Sequence, residues 1–162
     1  MIKTHTLTVL VALAGIGALP IQADEGGHKV AGAWATTLTI SGRPAGPIVG
    51  VMNVHKDHTA LYSDTSQAIP AKIGPGANDI IYQTPYFGAW ERKDNGYSFK
   101  TVQLVAGPDG SSFGGCTLTM SIELTDRDNF SGTATQACVD AKGQSVGRPQ
   151  TVPFAGKRIS AK

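Results

Sequence analysis

Residues 116–138 constrain the fold more than any other stretch. On the first run Cys116, Leu118, Met120, Ile122 and Leu124 share one face, while Thr117, Thr119, Ser121 and Glu123 share the other. Beyond a polar turn, Phe130, Gly132, Ala134, Gln136 and Cys138 alternate with Ser131, Thr133 and Thr135. This period of two describes a half-buried strand pair and excludes an amphipathic helix. A one-residue slip would turn one strand's apolar face to water, so matching the faces demands an odd-length turn. Centring that turn on Arg127 pairs Leu124 with Phe130 and Cys116 with Cys138. The chain has two cysteines, and this register sets them opposite each other on the inner face. We therefore expect a disulfide, contributing about 3 kcal/mol by constraining the unfolded chain. Without a Cys-x-x-Cys spacing, the pair does not read as redox-active.

A disulfide needs an oxidising compartment, and the N-terminus points to one. Residues 1–23 read as a secretory signal peptide: Lys3, an uncharged run from Leu7 to Leu19, then Pro20-Ile21-Gln22-Ala23 as the cleavage region. The run is too short to span a bilayer. The mature chain is then one domain, residues 24–162, secreted or periplasmic. Loss of Lys3 reduces the formal net charge from +2 to near neutrality, and neither sign clusters. Arg92-Lys93 and Lys157-Arg158 are the adjacent basic pairs, too few for a phosphate track, so nucleic acid is not an expected partner. Nor does any polybasic stretch or long amphipathic helix indicate membrane insertion after signal removal.

Strand-like runs separated by turn chemistry fill the rest of the chain. They cover 30–41, 48–55, 59–63, 86–93, 97–105, 113–125, 130–139 and 145–159, with Asn95-Gly96 marking a hairpin. If that dipeptide forms the turn, Asp94 opposes Tyr97 and Trp90 opposes Thr101. Residues 64–84 read as one long irregular segment, and Pro149 and Pro153 imply an interrupted or edge-like last strand. About eight antiparallel neighbours in an all-β chain favour a single up-and-down barrel.

Chemistry-bearing motifs are few. No Gly-x-Ser-x-Gly elbow, phosphate loop or dinucleotide fingerprint is present. His55-Lys56-Asp57-His58 is the one compact set of metal-capable side chains, and it lacks a third partner for a catalytic metal, so no metal or cofactor is expected. With Trp90 facing inward, Tyr86, Trp90, Tyr97, Phe99, Thr101 and Gln103 line one surface, an aromatic wall with a few polar groups suited to an apolar ligand. Glu91 and Glu123 fall on outward faces.

Gly-Ala-Trp occurs twice, at residues 32–34 and 88–90, and holds both tryptophans. With Gly32-Ala33-Trp34 opening the first strand and Lys157-Arg158-Ile159 closing the last, the chain resembles the calycin group of lipocalin-like barrels. It looks more closely like a set of secreted bacterial barrel proteins, mostly without assigned activity, over about residues 30–159. The resemblance implies a cation–π contact between Trp34 and Arg158 at the closed end. It departs from lipocalins in having no recognisable C-terminal helix. A similarity of shape to plant allene oxide cyclases keeps a cyclase or isomerase role open by analogy. The expected function is binding of a small hydrophobic or aromatic molecule. The alternative is a cofactor-independent isomerase, cyclase or lyase using His55, Arg92 or Tyr97. A third reading is a surface-interaction module acting through residues 64–84.

Overall fold

The structure, a computed structural model, describes residues 29–41, 46–67, 71–72, 80–107 and 109–160. The signal-peptide reading falls outside them. Ten strands run in chain order: β1 (Gly32–Leu38), β2 (Ile48–Val54), β3 (Thr59–Asp64), β4 (Ala71–Lys72), β5 (Ile80–Gln83), β6 (Tyr86–Lys93), β7 (Gly96–Ala106), β8 (Ser112–Leu124), β9 (Asn129–Val139) and β10 (Ser145–Arg158). Eight of them form a closed antiparallel barrel in the order β7-β6-β3-β2-β1-β10-β9-β8, with β7–β8 pairing completing the ring. Closure leaves no long free edge among the barrel strands, and each strand alternates an inward with an outward residue.

The hairpin that opens the sequence argument has the expected register. Leu124 opposes Phe130 and Cys116 opposes Cys138. The cysteines form a disulfide with Cα atoms 4.0 Å apart. Inside the barrel the aromatic rings are interlocked: Trp34 meets Phe130 edge-on at 5.2 Å, Phe130 meets Phe154 at 5.2 Å, and Phe154 meets Tyr62 edge-on at 5.9 Å. Met52, Met120, Phe99 and Ile122 complete a fully buried core. The lower barrel is therefore packed by its own side chains.

Three expectations need correction. In the β6–β7 hairpin the turn residues are Asp94 and Asn95, because Lys93 opposes Gly96 and Trp90 opposes Phe99 rather than Thr101. Asp94 itself takes the positive φ, 52°. Gly96 serves a different need, since a Cβ there would lie 2.4 Å from the Ile122 carbonyl oxygen of β8. The slip is two residues, so every side chain keeps its face. The second correction concerns residues 64–84, where β4 and β5 form a short hairpin and β5 pairs with the far end of β7. Thr84 bridges β5 to β6, its N–H donating to the Leu104 carbonyl and its Oγ1 accepting from the Leu104 N–H, each at 3.1 Å. Lastly, β10 lies between β1 and β9 rather than at an edge. It is edge-like only ahead of Pro153, where it has no β1 partner, and its register to β9 shifts between Val146 and Gln150, around Pro149.

Candidate functional site at the barrel mouth

All short hairpin turns beside Trp34 and Trp90 lie at one end of the barrel, and this end is sealed. Trp34 donates its indole N–H to the Val30 carbonyl at 2.9 Å. The Arg158 guanidinium stacks 4.1 Å from the Trp34 ring centre, which is the contact the resemblance implies. The same guanidinium donates to the carbonyls of Ala31, Lys29 and Arg127 at 2.8, 2.7 and 3.1 Å. Gly32, at φ 135°, leaves the space: a Cβ there would sit 2.6 Å from Arg158 Nη1. The backbone of residues 29–31, just ahead of β1, is thus held against the barrel floor.

Trp90 closes the other side of the floor. Its indole donates to the His55 carbonyl at 2.9 Å, the His58 ring stacks on it at 4.5 Å, and Tyr97 packs against it edge-on at 5.8 Å. Asp57 is taken up by Thr59, accepting from its backbone N–H at 3.0 Å and its hydroxyl at 2.6 Å. These bonds hold the Asp57 carboxyl below its ordinary value. Among the described residues no group of three or more His, Cys, Asp or Glu is placed to hold a metal. His55, Arg92 and Tyr97, the candidates for proton transfer, all lie at this sealed end. His55 and Arg92 are exposed and Tyr97 is buried. Arg92 opposes Tyr97 across the β6–β7 pair.

The six residues expected to line a site are all buried, yet they divide by height. Trp90, Tyr97 and Phe99 belong to the packed lower barrel. Thr101 donates to the Leu118 carbonyl at 3.1 Å, and Gln103 donates to the Thr84 carbonyl at 2.9 Å. Of the six, Tyr86 borders the free space at the open end. That space is a cup of about 60 Å³, with Leu38, Ile48, Leu118 and Val152 among its apolar lining and Tyr86, Asp64 and Gln136 among its polar lining. Its volume equals about two water molecules. A larger depression, about 610 Å³, lies outside the sealed end beside Arg127 and Arg158. Two of its charged groups are already engaged: Arg158 as above, and Asp126 by Asn129 and the Asp128 N–H. The mouth is the better site on chemistry.

Three residues there escaped the sequence argument: Thr36, Tyr62 and Asp64. The period of two carries inward orientation from Trp34 to Thr36 and from Ala60 through Tyr62 to Asp64. Gly50 opposes both Thr36 and Asp64. A Cβ on Gly50 would lie 2.9 Å from Asp64 Cβ and 3.0 Å from Thr36 Oγ1, so its absence lets the two side chains converge. The alternation is legible in the sequence, but the polar run that begins at residue 64 reads as the start of a loop.

The hydrogen bonding at the mouth is incomplete. Tyr86 Oη accepts from Gln136 Nε2 at 2.6 Å. Asp64 Oδ1 accepts from the Ser66 N–H at 2.8 Å and from its hydroxyl. By contrast Tyr62 Oη and Thr36 Oγ1 are buried with no hydrogen-bond partner. Burial, and then the nearby Asp64 carboxylate, push the Tyr62 phenol well above its ordinary value. Burial pushes Tyr86 up to about 12, against the lowering pull of Gln136. Both phenols are neutral at physiological pH. A buried hydroxyl without a partner costs about 1–3 kcal/mol, so two of them beside an opening mark a place where a polar group can bind.

Set beside models of protein families and beside curated proteins, the chain matches none.

Proposed function

We propose that this is a secreted or periplasmic barrel of lipocalin-like type that binds a small apolar or aromatic molecule at its mouth. The observation that carries the reading is the mouth cup, with an apolar wall of Leu38, Ile48, Leu118 and Val152 facing Tyr86 and Asp64. The Trp34–Arg158 closure supports the calycin-type reading, because it seals one end and leaves the other as the place of entry. The disulfide fits an oxidising compartment. Since the lower barrel is filled, the ligand enters by one end only and much of it remains outside the cup.

Ring-labelled tyrosine NMR tests the proposal, because Tyr86 bounds the cup and Tyr62 packs against Tyr86, whereas Tyr97 lies at the floor. Short-chain lipids, phenolics and terpenoids should shift the Tyr62 and Tyr86 signals saturably and leave Tyr97 in place. No shift across the panel would sink it. Tryptophan fluorescence is a poor reporter here, since both indoles sit at the sealed end.

One observation favours the isomerase, cyclase or lyase alternative. Two neutral phenols beside one opening can donate hydrogen bonds to a developing oxyanion. That reading now rests on Tyr62 and Tyr86 instead of His55, Arg92 and Tyr97. Turnover of a bound ligand that survives Tyr86→Phe unchanged would remove Tyr86 from it.

A further inference from the structure

The polar lining of the mouth narrows the kind of head group that fits. Asp64 is the one charged side chain among the described residues bounding the cup, and Ser66 engages its Oδ1. Behind it lie the Tyr62 and Thr36 hydroxyls, buried at 0% and 3% exposure, without a hydrogen bond of full geometry but near enough to Asp64 and to each other for both Asp64 and Thr36 to act on the Tyr62 phenol. Gly50 removes the side chain that would separate Thr36 from Asp64. Tyr86 stands across from Tyr62 with ring centres 5.9 Å apart, offering an aromatic surface. An anionic head would meet a carboxylate and, among the described residues bounding the cup, no compensating cation, which is unfavourable in a half-buried site. A cationic head finds a carboxylate, two hydroxyl oxygens with free lone pairs and aromatic faces. The room in the cup, about 60 Å³, suits a compact head more than a bulky one.

We infer that the mouth binds a primary ammonium at the end of a short apolar or aromatic chain, with Asp64 as counter-ion and Tyr62 and Thr36 as acceptors. This rests on the mouth-binding reading and adds the head group to it. The apolar wall of Leu38, Ile48, Leu118 and Val152 takes the first carbons of the chain. An inorganic cation would leave that wall unused.

The test holds the tail constant and varies the head: hexylamine, hexanol and hexanoate, titrated into the oxidised protein near neutral pH and read by the Tyr62 and Tyr86 NMR signals. Hexylamine should bind at least about tenfold more tightly than hexanol, the ratio expected for one charge-assisted contact, and hexanoate more weakly still. Asp64→Asn keeps an oxygen for Ser66 and should weaken hexylamine about tenfold while leaving hexanol unchanged. Tyr62→Phe keeps the ring in the core and should weaken hexylamine severalfold without lowering the melting temperature. Hexanoate binding as tightly as hexylamine would overturn the head-group inference and leave mouth binding standing. Equal affinity for amine and alcohol, or an indifferent Asp64→Asn variant, would do the same. Silence from all three probes at the tyrosine signals would overturn both.

Discussion

The two ends of this barrel are built on opposite principles. At the sealed end the polar groups around the two indoles are mutually satisfied: Arg158 reaches three carbonyls and an indole face, and Trp90 is bonded to His55 and stacked by His58. At the mouth two buried hydroxyls lack partners, and a carboxylate faces a small cup. Native interiors rarely leave such groups unmade. On the proposed reading, the difference separates a part of the molecule that serves closure from a part in which stability is given up for binding. Aromatic residues alone do not tell the two apart, because both ends are rich in them.

The sharpest challenge to this contrast is Trp34→Ala. If the sealed end is purely structural, removing its central indole should cost about 3–5 kcal/mol in urea unfolding and leave ligand shifts at Tyr62 and Tyr86 intact wherever the variant still folds. Loss of those shifts in a folded variant would show that the ends are coupled. Next in size is the disulfide, which ties β8 to β9 on the mouth side. Replacing Cys116 and Cys138 together by alanine should cost about 3 kcal/mol, seen as a lower urea midpoint.

Alkaline pH should weaken the mouth before the floor. Tyr86 holds its proton up to about 12 in the folded chain, against an ordinary value of 10, and Tyr62 holds its proton further still. A raised folded value means that this contribution is complete below pH 10 and is lost as pH climbs through about 12. Stability should fall by up to about 1.4 kcal/mol per pH unit for each such tyrosine. Phenolate absorbance should show these two ionising late or only with unfolding. Smallest of all is Tyr62→Phe, which removes a buried hydroxyl that has no partner. It should leave thermal stability unchanged or raise it by about 1 kcal/mol. A clear loss would mean the hydroxyl is already bonded in the free protein, and the contrast between the ends would weaken.

Much of the barrel was readable from local pattern. The β8–β9 register followed from face matching together with a turn centred on Arg127, and with it the disulfide, because period two admits only the registers that keep Leu124, Phe130 and both cysteines inside and the position of the turn selects one of them. The Trp34–Arg158 contact came through resemblance, since residues so far apart in sequence carry no local signal of proximity. The β6–β7 turn was misplaced by two residues for a tertiary reason: Gly96 is small because β8 passes over it, which Asn95-Gly96 read as a hairpin does not reveal. The mouth was missed where strand met loop. Asp64 continues the inward alternation of Ala60 and Tyr62, but a polar residue before Thr65 and Ser66 reads as the start of a turn.

Alternation and turn chemistry in the sequence were enough to determine an all-β chain of antiparallel hairpins, because strand periodicity and steric preference act within a few residues. The height at which each inward side chain sits was decided only in the closed barrel. Height depends on how eight strands stagger around the ring, and that stagger packs Trp90 and Phe99 into the floor while it brings Thr36, Tyr62, Asp64 and Tyr86 together at the opening.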